Sequence, residues 1–261
     1  MRLARFRKAA RITVGALLLA GLAIGGPIAL RRSAGNFGTV EPGRVFRSAQ
    51  LGPESLRRAI REHGIKTVLN LRGPNPDQAW YRDEVAATVA SGAAQVDVPL
   101  ASDQWLSHDQ VATLLDVLGR AEYPILIHCE FGAERTGLVS AFVELLKPGG
   151  TLDDARSQFS IRYLFIPFKD GLVMLGHLDR YESWLRDCRL SHTPDQFRRW
   201  LATDYRPDSP SREYWPCNPY PRKVVTRVGP DGSTETSSDL PRDACPKTVA
   251  TRIERDDQKR D

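Results

Sequence analysis

The stretch PILIHCEFGAERTGLVSAFVELL, residues 124–146, constrains the fold more than any other part of the chain. Pro124-Ile125-Leu126-Ile127 is apolar at consecutive rather than alternate positions, so a strand here has both faces covered. Such a strand needs neighbouring strands beside it and a helical layer above and below. It ends abruptly in a glycine-containing turn, and Leu138 to Leu146 then reads as a helix.

Elsewhere short apolar runs alternate with amphipathic ones. Strands are expected from Val45, at Lys66–Leu71, Gln95–Val98 and Pro124–Ile127. Helices are expected over Pro53–His63, with proline in the first turn and Gly64 at the end, and over Asp77–Ala90, Ser107–Arg120, the segment up to Leu146, Leu152–Phe159, Gly171–Asp187 and Pro194–Thr203. This alternation implies an α/β fold with a mainly parallel central sheet flanked by helices. Ligands of such sheets bind outside the carboxyl ends of the strands, where His128 and Cys129 sit.

The 261 residues, 41% of them hydrophobic and 26% charged, suffice for one full core with chain left over. Residues 1–32 form a basic start and an apolar segment, residues 33–205 the folded domain, and residues 206–261 a polar, Pro-rich extension expected to be partly disordered. Within that extension Lys223–Val228 alone looks strand-like, and PDGSTETSSD does not. At the N-terminus Arg2, Arg5, Arg7, Lys8 and Arg11 precede nineteen uncharged, largely apolar residues, Ile12 to Leu30, closed by Arg31-Arg32. That length suits a transmembrane anchor, with a cleavable signal ending near Gly25 or Gly26 as the alternative. The charge asymmetry puts the N-terminus in the cytoplasm, so either reading exports the domain to the extracytoplasmic side. The net charge of +5 lacks any basic stripe interleaved with aromatics, and no nucleic-acid partner is expected.

A strand, a turn and a helix N-terminus meeting at one point make an anion site. Here the turn also carries a thiol, and the helix dipole favours its thiolate, the nucleophilic form. Arg135, six positions after Cys129, can hold two oxygens of an oxyanion with its planar guanidinium, as a lysine cannot. Gly132 lets the backbone turn tightly under the anion, and the backbone of Glu130, Phe131, Gly132, Ala133, Glu134 and Arg135 would line it. Thr136 is close enough in sequence to hydrogen-bond the sulfur, and His128 would brace the loop. Cys188, Cys217 and Cys245 are followed six residues later by Pro194, Lys223 and Thr251, so Cys129 alone has this partner.

HCEFGAERTG resembles the phosphate-binding loop, His-Cys-x-x-Gly-x-x-Arg-Ser/Thr, of the cysteine-dependent tyrosine and dual-specificity phosphatases. RVFRSAQL, IKTVLNLRG, WYRDEVAA and VDVPL are similar to a bacterial dual-specificity-type branch, and the resemblance extends from about Arg44 to Trp184. It implies attack of Cys129 on phosphorus, a cysteinyl-phosphate, and hydrolysis by water with no metal and no cofactor. It also implies a leaving-group acid on a loop before the cysteine strand. Asp103 is the candidate, Asp97 the alternative, although Asp97 lies within a strand where a structural role is expected. Trp105 is either a lid over the site or an apolar anchor for the next helix, and Arg72 either meets a second phosphate or forms an ion pair.

Glu130 and Glu134 at the rim would repel a polyanion, so phosphotyrosine, or phosphoserine and phosphothreonine, in proteins is the expected substrate. A phosphoinositide or other lipid head group, or a phosphate-binding relative without turnover, are the alternatives. The remaining cysteines allow a Cys217–Cys245 disulfide in the extension, with Cys188 expected as a buried thiol.

Overall fold

The computed structural model describes residues 25–168, 170–207, 224–229 and 233–238. The chain runs α1 (described over 25–33), β1 (Gly38–Glu41), β2 (Val45–Ser48), α2 (Pro53–His63), β3 (Thr67–Asn70), α3 (Ala79–Ala90), β4 (Ala94–Asp97), α4 (His108–Arg120) and β5 (Ile125–His128). Then come α5 (Glu134–Leu146), α6 (Leu152–Ser157), α7 (Asp170–Asp187), α8 (Pro194–Arg199), β6 (Val224–Val228) and β7 (Thr234–Ser238).

The strands form one sheet in the order β1-β2-β5-β3-β4-β6-β7. The central four, β2, β5, β3 and β4, are parallel, as a strand buried on both faces demands. The expected mainly parallel sheet is nevertheless a mixed one, because β1 pairs antiparallel with β2 and the β6–β7 hairpin pairs antiparallel with β4. On the β1 side the reversal comes from Pro42-Gly43, whose glycine has φ of 70°; a positive φ is what a tight hairpin turn needs. β6 forms at the strand expected in the extension, while β7 occupies TETSS, inside a segment whose composition gave no strand signal.

Side chains alternate between the two faces of the central strands. Val45, Leu69, Val96, Ile125 and Ile127 pack with α4, α5, α7 and α8 in one core, whereas Phe46, Val68 and Leu126 pack with Leu56, Ala59 and Ile60 of α2 and Ala87 of α3 in the other. The helices are closed by local signals. Gly64 ends α2 at φ 62° with its N–H on Ile60 O, and Ser107 and Gln110 form a capping box at the start of α4.

The register sets the carboxyl ends of the strands level. His128 stands opposite both Ser48 and Asn70, and Asn70 opposite Asp97. The loops that leave these four positions therefore converge on one spot.

Among the described residues no helix is long and apolar enough to cross a membrane. Most of the apolar run expected to serve as anchor or signal lies in residues 1–24, outside those described, as do Cys217 and Cys245. Cys188 is a free thiol but an exposed one, against expectation. It follows the last residue of α7 and precedes Arg189 at φ 55°, in the turn that ends the helix.

Candidate active site

Cys129 leaves β5 at the centre of the sheet and has no exposed surface. Its sulfur still meets a polar group: the Gly132 N–H donates to Cys129 Sγ at 3.2 Å. Glycine is required at that point for two reasons. Its φ is 69°, and a Cβ there would stand 2.5 Å from Ala49 N and 2.6 Å from the Ser48 carbonyl.

α5 begins two residues later, and its N-cap is Ala133, which offers no capping side chain. The first N–H groups of a helix have no intrahelical acceptor, and here the amides of Glu130, Phe131, Ala133, Glu134, Arg135 and Thr136 carry no hydrogen bond to protein among the described residues. A loop with its donors left open around a sulfur is the arrangement an oxyanion of phosphorus requires.

Arg135 is half-buried, and its Nη1 donates to Leu100 O at 3.3 Å. Leu100 precedes the loop of residues 101–106, so the guanidinium bridges the phosphate loop and the segment that carries Asp103. Asp103 is partly exposed and has no hydrogen-bond partner among the described residues. Asp97, by contrast, is fully buried. Tyr81 Oη donates to its Oδ2 at 2.5 Å, and Asn70 Nδ2 to its Oδ1 at 2.8 Å. Burial pushes its carboxyl up to about 6, opposed by the hydrogen bonds from Tyr81, Asn70 and Gln95 and reinforced by Glu84. Asp97 is tied into the sheet, and the 101–106 loop offers the freer acid.

Other expectations are refined by the geometry. The Thr136 hydroxyl is buried with no hydrogen-bond partner among the described residues and is not bonded to the sulfur. His128 is buried with Nε2 at 3.3 Å from Glu84 Oε1, within ion-pair range but off hydrogen-bond alignment. Trp105 is an anchor: its ring lies against His177 at 4.6 Å, with the Arg180 guanidinium stacked at 3.6 Å. Arg72 covers Trp80 at 3.7 Å, donates to Gln50 and sits 3.8 Å from Glu130 Oε2, so it pairs with the rim of the loop.

Three supporting residues are missing from the sequence reading. Arg47, fully buried, donates to Gly132 O at 2.7 Å and to Gln158 O and Oε1 at 2.8 and 2.9 Å, with its guanidinium 3.9 Å from the Tyr163 ring. Burial lowers its pKa to about 10, with Tyr163 and Cys129 offsetting part of the effect. Asn36 donates to Phe131 O at 2.9 Å and to Tyr163 O at 2.8 Å. Glu84, on α3, accepts from Gln95 Nε2 at 2.9 Å and from Gln50, and so links His128 to the neighbouring strands. Phosphate-loop carbonyls thus point outward onto buried donors, which leaves the N–H groups for the cavity.

The chain is similar to known phosphatases. A family model described as "DSP-PTPase phosphatase fused to NAD+ Kinase" matches residues 29–163. The solved structure of P. aeruginosa TpbA is 20% identical, covering 56% of this chain and 87% of its own with a TM-score of 0.43. A TpbA variant in complex with pTyr is 18% identical over 64% of this chain and 96% of its own, with a TM-score of 0.44. The core catalytic domain of the PP-IP phosphatase SIW14 from S. cerevisiae is 20% identical over 57% and 94%, with a TM-score of 0.43. No curated protein matches. Because the family model covers more than half of its length, the chain belongs to the DSP-PTPase phosphatase family, within the superfamily of cysteine-dependent tyrosine and dual-specificity phosphatases.

Proposed function

We propose that this phosphatase hydrolyses phosphotyrosine in polypeptides through a cysteinyl-phosphate at Cys129. The observation that carries the mechanism is the Gly132 N–H on Cys129 Sγ at 3.2 Å, at the uncapped start of α5. The Gly132 N–H beside the sulfur, with the unpaired N–H groups at the start of α5, supports a reading in which these donors receive the oxygens of a phosphoryl group.

In the first step Cys129 Sγ attacks phosphorus. The bond from phosphorus to the ester oxygen breaks, and that oxygen takes a proton from Asp103. Arg135 and the loop amides hold the equatorial oxygens throughout. In the second step Asp103 takes a proton from water, the resulting oxygen displaces sulfur from phosphorus, and inorganic phosphate leaves with the thiolate restored.

Two features support a tyrosine ester. Cys129 is wholly buried whereas Phe131 at the rim is 49% exposed, so the phosphate must be delivered on a side chain long enough to reach the floor. Glu130, loosely paired with Arg72, and Glu134 make the rim unfavourable for a ring bearing several phosphates. The apolar run at residues 12–30 supports placing the enzyme at a membrane with its domain exported.

The test is hydrolysis of an aryl phosphate, a phosphotyrosine peptide and a phosphoinositide by the full chain in the presence of chelator. Turnover of the first two and not the third, abolished by Cys129→Ser, is expected. Full activity of Cys129→Ser, or strict dependence on a divalent metal, overturns the mechanism; preferred turnover of the phosphoinositide overturns the substrate assignment.

A further inference from the structure

Beside the phosphate loop lies a second pocket, of about 400 Å3, between α1 and α2. Its lining includes Arg32 from α1, Arg58, Glu62 and His63 from α2, and Phe37 and Gln50. We infer that this pocket binds an acidic side chain of the substrate polypeptide, flanking the phosphorylated residue, on Arg32 and Arg58. The inference rests on the phosphotyrosine reading above and extends it to sequence preference.

Continuity with the active site comes from two contacts. The Gln50 N–H donates to Glu130 O at 3.2 Å, so the pocket wall and the phosphate loop share a hydrogen bond. The Arg32 guanidinium stands 5.3 Å from the centre of the Phe131 ring, so an arginine of the pocket lining borders an exposed residue of the phosphate loop. A substrate chain whose phosphate enters the loop therefore has this pocket within reach of its neighbouring residues.

The walls are held in place. His63 forms a three-ring cluster with Phe37 and Phe46, its ring centre 4.9 and 4.5 Å from theirs. Gln50 is fixed by Glu84 and Arg72 on its amide group. The cations, by contrast, are uncommitted: neither Arg32 nor Arg58 has a carboxylate partner among the described residues, although Arg57, next to Arg58, is paired with Glu54. Glu62 is the one carboxylate of the lining, against two guanidinium groups.

The charge pattern selects what fits. Glu130 and Glu134 at the loop rim disfavour a second anion on the same ring as the phosphate, whereas the arginines beyond Phe131 favour one placed a residue or more away. A peptide with Asp or Glu beside the phosphotyrosine meets both conditions. Arginine also offers a carboxylate a two-point hydrogen-bonded geometry.

The test compares the full chain on phosphotyrosine peptides carrying Glu, Ala or Lys at the flanking positions, with an aryl phosphate as control. Exposed charge pairs of this kind are worth roughly a two- to fivefold preference each, so kcat/KM should favour the Glu peptide over the Ala peptide by about five- to tenfold, mostly through KM and less at high salt. Arg58→Glu should remove that preference and raise turnover of the Lys peptide while leaving aryl phosphate hydrolysis unchanged. Equal turnover of Glu and Ala peptides, or a preference that survives in Arg32→Glu/Arg58→Glu, overturns the inference and leaves the phosphotyrosine reading standing. Hydrolysis of aryl phosphate without turnover of any phosphotyrosine peptide overturns that reading and this inference with it.

Discussion

Arg47 holds the carbonyl of Gly132 from behind, at 2.7 Å, while the N–H of Gly132 faces the sulfur of Cys129 at 3.2 Å from the front. One peptide-bonded residue therefore transmits the position of a buried guanidinium to the nucleophile. The same guanidinium reaches Gln158 O and Oε1 through its other terminal nitrogen, so the phosphate loop is tied to the segment after α6. A lysine cannot serve both sides, because its ammonium is a single point rather than a planar fork. Arg47→Lys should lower kcat/KM for aryl phosphate by about 100-fold through misplacement of the loop, with the far-UV circular dichroism spectrum retained. Activity within a few-fold of wild type would show that the loop holds its shape without this support.

Gly132→Ala tests the loop from the other side. The added methyl meets the Ser48 carbonyl and the Ala49 nitrogen, backbone atoms at the end of β2 that cannot swing away, and φ of 69° is itself unfavourable for alanine. A destabilisation of about 2–4 kcal/mol is expected, read from urea unfolding, together with loss of phosphate binding by isothermal calorimetry. Retained phosphate affinity would mean that the Gly132 amide is not part of the anion cradle.

Asp103→Asn distinguishes proton donation from mere proximity. Without the acid, phosphotyrosine turnover should fall by about 100- to 1000-fold, but hydrolysis of p-nitrophenyl phosphate should fall much less, because that leaving group departs without a proton. Equal losses on both substrates would assign Asp103 a structural role. Asp97→Asn serves as comparison, since Asp97 is enclosed by Tyr81 and Asn70 and should leave the leaving-group dependence unchanged.

The strand, loop and helix around Cys129 were legible because their chemistry is local: the apolar run, Gly132 and Arg135 lie within a dozen residues of one another. The helices were legible for the same reason, through Pro53, Gly64 and the Ser107 capping box. What escaped is long-range. Arg47 and Gly132 are 85 positions apart, and Asn36 and Phe131 are 95 apart, so no spacing rule links them. Arg47 also shares its face with Val45, inside the core, and a charged residue carries no apolar signal that would announce its burial. The edge strands were missed because β1 and β7 draw their partners from β2 and from the tail hairpin rather than from an apolar run of their own. Cys188 was misplaced because a single cysteine carries no periodicity, and burial by default fails where a helix ends.

The buried carboxyl of Asp97 gives the fold a pH dependence that can be read apart from catalysis. Its pKa is raised from 3.8 to about 6 in the folded chain, chiefly by burial. A raised pKa means that the folded state binds the proton more tightly than the unfolded one, so its contribution to stability is fully present below about pH 4 and is lost as pH rises through about 6. The loss is on the order of 3 kcal/mol. Asp97→Asn keeps the shape and removes the titration, although the amide cannot accept from Tyr81 and Asn70 in the way the carboxylate does. The variant should therefore be less stable than wild type at low pH and gain on it between about pH 4 and 7, where the wild type must ionise a buried group. Urea unfolding of both proteins across that range measures the difference directly. Parallel curves would show that ionisation of Asp97 does not cost the fold stability.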